Sequence, residues 1–196
     1  MKMIGLILCG GQSSRMGNDK GLLQSDSNTW AQAAANKLIK LQLSIKVSVN
    51  KNQYTSYAEL FPPDDLIIDD ISLRLKGPLL GLLSTHLRYP TETIFVLACD
   101  MPLMESFLLK ELLVAYNEHS TPDAFVFTYN NESEPLCGIY KPAGLALVLS
   151  MYQSNQLAKH SMKFMLDHIS PFTIPIAEKN KKFFFNANTH AELNGL

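Results

Sequence analysis

The stretch Leu8-Cys9-Gly10-Gly11-Gln12-Ser13-Ser14-Arg15-Met16-Gly17-Asn18-Asp19-Lys20 directly follows a short apolar run, Met3 to Cys9. Two adjacent glycines let a backbone approach a ligand without Cβ collisions. Their N–H groups can form a concavity that takes an anion. Arg15 and Lys20 add fixed positive charge suited to phosphates. The stretch is not a P-loop, because no GK[ST] follows, and it lacks the GxGxxG of a dinucleotide site. The chemistry it offers is phosphate binding by glycine backbone and two cations.

Carboxylates stand at matching places. Asp100 follows the apolar run Thr93–Ala98 and precedes Met101-Pro102. Asp69 and Asp70 follow Leu66-Ile67-Ile68. In an open parallel sheet, ligands sit beyond the carboxyl ends of the strands. A hard cation such as Mg²⁺ takes one or two carboxylates there and completes its shell with phosphates and water. The other use of an Asp at such a place is a helix N-cap. Within the Asp69-Asp70 pair, one residue can turn or cap the chain while the other meets ligand, and adjacency leaves open which. Gly77-Pro78-Leu79-Leu80-Gly81 opens a helix whose N-terminus either faces a ligand or packs.

These residues need a scaffold, and the hydrophobic pattern supplies one. Apolar runs recur at 3–9, 45–49, 66–68, 93–98 and 124–127, as expected of strands buried on both faces. Between them lie helical stripes: Trp30, Ala34, Leu38, Leu41; then Leu79, Leu82, Leu83, His86, Leu87; then Leu108, Leu112, Ala115, Tyr116. The stripes read as core, with His86 a packed or rim histidine and not a ligand. Strands alternating with helices predict right-handed βαβ units and a mostly parallel sheet. Residues 135–140 predict an antiparallel strand. Residues 142–154 and 159–168 predict helices, and Phe183-Phe184-Phe185 predicts a last short strand. No repeat or linker divides the 196 residues, so one domain is expected.

With 17 basic and 18 acidic residues, the formal charge is −1. That argues against a protein built to coat nucleic acid or an anionic membrane. The cysteines, Cys9, Cys99 and Cys137, have no metal-site spacing and read as free thiols in a reducing cytosol. The apolar stretch before Cys9 is too short for a secretion signal, and no run is long enough to span a membrane.

Taken together, the motifs resemble the molybdenum cofactor guanylyltransferases of the small nucleotidyltransferase superfamily. The likeness runs through Leu8–Lys20, Val49-Asn50-Lys51-Asn52, Ile68-Asp69-Asp70, Gly77–Gly81, Cys99-Asp100-Met101-Pro102, Glu134-Pro135-Leu136 and Phe185-Asn186-Ala187-Asn188-Thr189. It implies a Rossmann-like, three-layer α/β/α nucleotidyltransferase in the cytoplasm. It implies transfer of GMP from GTP to Mo-molybdopterin, with Mg²⁺ as cofactor. Nucleotide contacts carry over to Leu8, Cys9, Gly10, Gly11, Lys20, Asn50, Asp70 and Asp100. Asp100 is then the metal ligand, with Arg15, Lys20 and Asp100 as the catalytic residues. Asn186 and Asn188 fall where the acceptor pterin is expected, with Lys159 and Lys163 as its phosphate-binding cations. Transient contacts with molybdenum cofactor biosynthesis proteins or molybdoenzymes belong to the same expectation. Two other readings remain: a related nucleotidyltransferase using CTP or a sugar-1-phosphate acceptor, and a nucleotide-binding module without turnover.

Overall fold

A computed structural model describes residues 2–10, 19–25 and 27–187. The strands are β1 (Met3–Leu8), β2 (Gln24–Ser25), β3 (Asn28–Thr29), β4 (Ser44–Val49), β5 (Leu66–Ile68), β6 (Thr93–Ala98), β7 (Ala124–Tyr129), β8 (Glu132–Tyr140) and β9 (Pro171–Pro175). The helices are α1 (Trp30–Ile39), α2 (Tyr54–Ala58), α3 (Pro78–Arg88), α4 (Ser106–Glu118), α5 (Pro142–Gln153) and α6 (Met162–Leu166). Seven strands form one sheet in the order β5-β4-β1-β6-β8-β7-β9. Among the described residues, only β8 runs antiparallel to its neighbours within this sheet. The other pairings, β5 with β4, β4 with β1, β1 with β6 and β7 with β9, are parallel.

The sheet is apolar on both faces, which is why its central strands read as unbroken hydrophobic runs. Along β6, Phe95 and Leu97 enter one core with Leu38 of α1, Tyr57 of α2 and Leu112 of α4. Ile94 and Val96 enter the other, with Leu82 of α3, Leu145 of α5 and Met165 of α6. That alternation gives three layers, as the resemblance implied. The antiparallel turn comes from Asn130 and Asn131, at φ 48° and 63°. A two-residue loop with both φ positive matches the right-handed twist of a hairpin, and asparagine tolerates it.

Two expectations change, and one strand is new. The triple phenylalanine is no strand: Glu178–Phe184 forms a 3₁₀ stretch in which only Phe184 is buried. The strand nearest it is β9, whose alternation is weak and whose ends are both proline. The helix expected over 159–168 is shorter, Met162–Leu166, starting at the Ser161 cap. Among the described residues, no helix is long and apolar enough to cross a membrane.

Candidate active site

The site is built where four parallel strands end. Ladder bonds run one residue past the strands: Cys9 N–H donates to the Ser48 carbonyl at 3.1 Å, Cys99 N–H to Leu8 at 3.2 Å, and Asp69 N–H to Val49 at 2.9 Å. Gly10, Asn50, Asp69 and Asp100 therefore emerge on one edge, from neighbouring strands. β5 and β6 lie three strand spacings apart, about 14 Å.

Over the β5 side is a cavity of about 560 Å³, lined among others by Gly10, Asn50, Asn52, Asp69, Lys76 and Gly77. Its floor holds a buried carboxylate, since Asp69 is only 8% exposed. Ser48 Oγ donates to Asp69 Oδ1 at 2.7 Å. Burial pushes the Asp69 carboxyl up to about 6, partly opposed by that hydrogen bond. Gly10 lies directly over it: a Cβ at Gly10 would stand 2.6 Å from Asp69 Oδ2, so no side chain fits there. Asp70 behaves differently. It is exposed, and its carboxylate accepts the Ser72 N–H at 2.9 Å, capping a 3₁₀ turn over Ile71–Leu73. Hydrogen bonding to the Ser72 side chain first, and to its N–H second, lowers the pKa of Asp70. The structure thus puts Asp69 in the cavity and Asp70 on the turn outside it. Asn50 lines the cavity too, while its Oδ1 accepts the N–H groups of Asn52 and Gln53.

At the end of β6, Lys20 Nζ donates to Asp100 Oδ2 at 3.1 Å. The two side chains are 27% and 20% exposed, reachable by a ligand but shielded on one side. The Asp100 carbonyl accepts the Ala187 N–H at 2.9 Å, which brings Asn186 near. Lys37 of α1 donates to the Pro102 carbonyl at 2.7 Å. Burial brings the Lys37 ammonium down to about 8, against the pull of Glu105. This lysine braces the Asp100 turn from beneath, and neither stripe nor motif marked it.

Beyond Asp100 is a second cavity, of about 660 Å³, lined among others by Tyr129, Glu134, Lys181, Lys182, Phe184 and Asn186. Tyr129 donates to Glu178 at 2.7 Å, and Lys181 donates to the Tyr129 hydroxyl at 3.2 Å while lying over its ring. Asn186 therefore has basic and aromatic company that sequence reading missed; the signal available was the run Lys179-Asn180-Lys181-Lys182. Lys159 and Lys163 are not among the residues lining this cavity. Lys163 donates to Glu132, and Lys159 is exposed. Leu8 has its side chain in the core, and Cys9 is buried. Gly11, Arg15 and Asn188 lie outside the described residues. Among the described residues, no group of three or more His, Cys, Asp or Glu could hold a metal by itself.

The model of the MobA-like NTP transferase domain matches residues 5–169, from the first strand to just before β9. The chain belongs to the MobA-like NTP transferase family. Two MobA-like relatives are similar along nearly their whole length. One, named "probable molybdenum cofactor guanylyltransferase" in Flavobacterium johnsoniae, is 30% identical over 190 residues, covering 97% of this chain and 94% of the relative. Another, a molybdenum cofactor guanylyltransferase of Campylobacter jejuni subsp. doylei, is 30% identical, covering 95% and 91%. The MobA-like fold recurs in the crystal structure of molybdopterin-guanine dinucleotide biosynthesis protein A from Archaeoglobus fulgidus. That match has a TM-score of 0.74 and 19% identity, over 100% of this chain and 96% of the other.

Proposed function

We propose that the chain transfers GMP from GTP to Mo-molybdopterin, releasing pyrophosphate and giving Mo-molybdopterin guanine dinucleotide. One observation carries the reading: a cavity with a buried carboxylate acceptor stands on the same strand edge as a partly exposed Lys–Asp pair. The first suits a base that offers donors, the second a triphosphate. The guanylyltransferase names of the relatives support the choice of chemistry.

Guanine presents N1–H and N2–H₂, a donor pair that one carboxylate can accept. Asp69 is placed for that role, with Asn50 beside it. Lys20 holds the triphosphate. The acceptor's terminal phosphate attacks the α-phosphorus, and pyrophosphate leaves in line. No protein nucleophile is needed, because such transfers run on alignment and charge neutralisation. Asp100 fits a divalent cation: it would offer one carboxylate, which suits a cation such as Mg²⁺ that takes few protein ligands. Asp100 would hold Mg²⁺ there, and the cation would supply positive charge against the phosphate oxygens. The cavity at Asn186 and Lys181 takes the acceptor, whose phosphate and fused rings match its cations and aromatic walls. The free cysteines at 9, 99 and 137 support a reducing, cytoplasmic setting.

The reading is tested by purified protein with Mg²⁺ and Mo-molybdopterin, comparing GTP with CTP. GTP is expected to give the dinucleotide and pyrophosphate. Preference for CTP overturns the guanylyl assignment, and GTP binding without turnover makes the chain a binding module.

Asp69 yields a prediction whose two halves have opposite sign. Its folded pKa, about 6, lies above the ordinary 3.8. The folded chain therefore holds that proton more tightly than the unfolded chain. Its stabilising contribution is full below pH 3.8 and is lost as pH rises through about 6, a swing of about 2–3 kcal/mol. GTP affinity runs the other way, because only the ionised carboxylate accepts both guanine donors. It is expected to fall below about pH 6. Asp69→Asn should flatten both profiles and weaken GTP about tenfold or more. Urea titrations and GTP binding across pH 4–8 check this; a wild-type affinity that is flat across pH 5–7 would remove Asp69 from the base.

A further inference from the structure

Gln53 has every polar group of its side chain engaged: its Oε1 closes a reciprocal pair with Asn50 in the turn that leads into α2, and its Nε2 reaches beyond that turn. It stands at the N-terminal boundary of α2, yet makes no side-chain capping bond there. Its Nε2 donates to the Cys9 carbonyl at 3.0 Å and to Asp19 Oδ2 at 2.7 Å. Its Oε1 accepts the Asn50 N–H at 2.9 Å. The amide orientation is fixed by its partners, since a flipped oxygen would face a carbonyl and a carboxylate. One side chain thus ties three chain segments: the end of β1, the end of β4, and Asp19, which precedes Lys20.

Asp19 is held from its other side as well. Its Oδ1 accepts the Gly21 N–H at 3.0 Å and the Tyr57 hydroxyl at 3.0 Å. Burial first, then nearby Cys9, Cys99 and Asp19, push the Tyr57 phenol pKa upward, so it stays a donor. The approach is close: a Cβ at Gly21 would lie 2.0 Å from Tyr57 Oη. The carboxylate has a fixed place, and Gln53 refers that place to Cys9 and Asn50.

We infer that Gln53 is a positioning residue that sets the distance between the base cavity and the Lys20–Asp100 station. The inference rests on the guanylyl-transfer reading above. Of the residues that line the base cavity, Gly10 follows the Cys9 that Gln53 holds, and Asn50 is bonded to Gln53 directly. Lys20 follows the Asp19 that it holds on the other side. A nucleotide touching both stations gains from their spacing. A fragment touching one station does not.

That difference is the test. Gln53→Met removes both donors at similar length. Gln53→Glu keeps the acceptor for Asn50 but turns a carboxylate toward the Cys9 carbonyl and Asp19. Binding of GTP, guanosine and pyrophosphate, each with Mg²⁺, is measured on wild type and both variants, with thermal midpoints recorded. In both variants GTP is expected to weaken about tenfold or more, while guanosine and pyrophosphate stay within about twofold of wild type. Parallel weakening of all three ligands makes Gln53 merely structural and overturns the inference. Loss of one fragment alone makes it part of one station, and unchanged GTP binding leaves it no role; both overturn it. A wild type that prefers CTP defeats the guanylyl reading separately, and the same comparison with CTP, cytidine and pyrophosphate then decides Gln53.

Discussion

Asp100→Asn is expected to lower transfer by about 10²–10³-fold or more while leaving the fold intact. The side chain sits where β6 ends, and its one described polar partner is Lys20 Nζ at 3.1 Å. It is not part of either core. Its backbone does the structural work: the carbonyl accepts the Ala187 N–H, and Lys37 braces the next turn at Pro102. An amide of the same size keeps those bonds and removes only the charge. A partly exposed pair of this kind contributes little to stability, about 0–1 kcal/mol. The change therefore falls on catalysis. Neutral asparagine is a poor ligand for a hard dication, so charge on the phosphate oxygens goes unneutralised as pyrophosphate leaves. Single-turnover transfer, with thermal unfolding as control, measures both halves. Transfer within a few-fold of wild type would take Asp100 out of the cation site.

The sheet was legible because burial on both faces leaves a mark in sequence. Met3–Leu8 and Thr93–Ala98 could hardly be anything but central strands. β9 left no such mark: it is an edge strand, half-exposed, with proline at each end. The phenylalanines at 183–185 misled for the opposite reason. Their β-propensity is high, but one ring anchors a 3₁₀ stretch whose continuation pins Ala187 to Asp100. The choice between Asp69 and Asp70 depended on phase. Leu66-Ile67-Ile68 is apolar throughout and hides its alternation, yet Ile68 is 46% exposed on this edge strand. The period of two, carried past the strand, puts Asp69 inward and Asp70 outward. Gln53 carries a local signal only for its bond to Asn50, as an Asn-x-x-Gln pair, and none for its other two partners. Its partners at 9 and 19 become neighbours only because β1 pairs with β4. Strand-end carboxylates follow from local pattern, whereas the side chains that fix their mutual positions follow from topology.

Lys20→Met should separate two effects that a purely structural lysine would not. Its ammonium is held at Asp100, at the mouth of the site, with 27% of the side chain exposed. Given a triphosphate, that ammonium exchanges one carboxylate for several phosphate oxygens. A charge-assisted hydrogen bond of this kind is worth about 1.5–3 kcal/mol. GTP affinity is thus expected to fall roughly 10–100-fold in the variant. Without nucleotide the sign reverses. Lys20 competes with any cation for the Asp100 carboxylate, so removing it should tighten binding of Mn²⁺ to the nucleotide-free protein. The Asp19 clamp at the N-terminal side of residue 20 does not involve the Lys20 side chain, so the variant keeps its backbone place. Calorimetric titration with GTP and magnetic-resonance titration with Mn²⁺ read the two quantities independently. Loss of both affinities together would mean that the turn has collapsed. Unchanged GTP affinity would leave Lys20 as nothing more than a partner for Asp100, with the triphosphate held elsewhere.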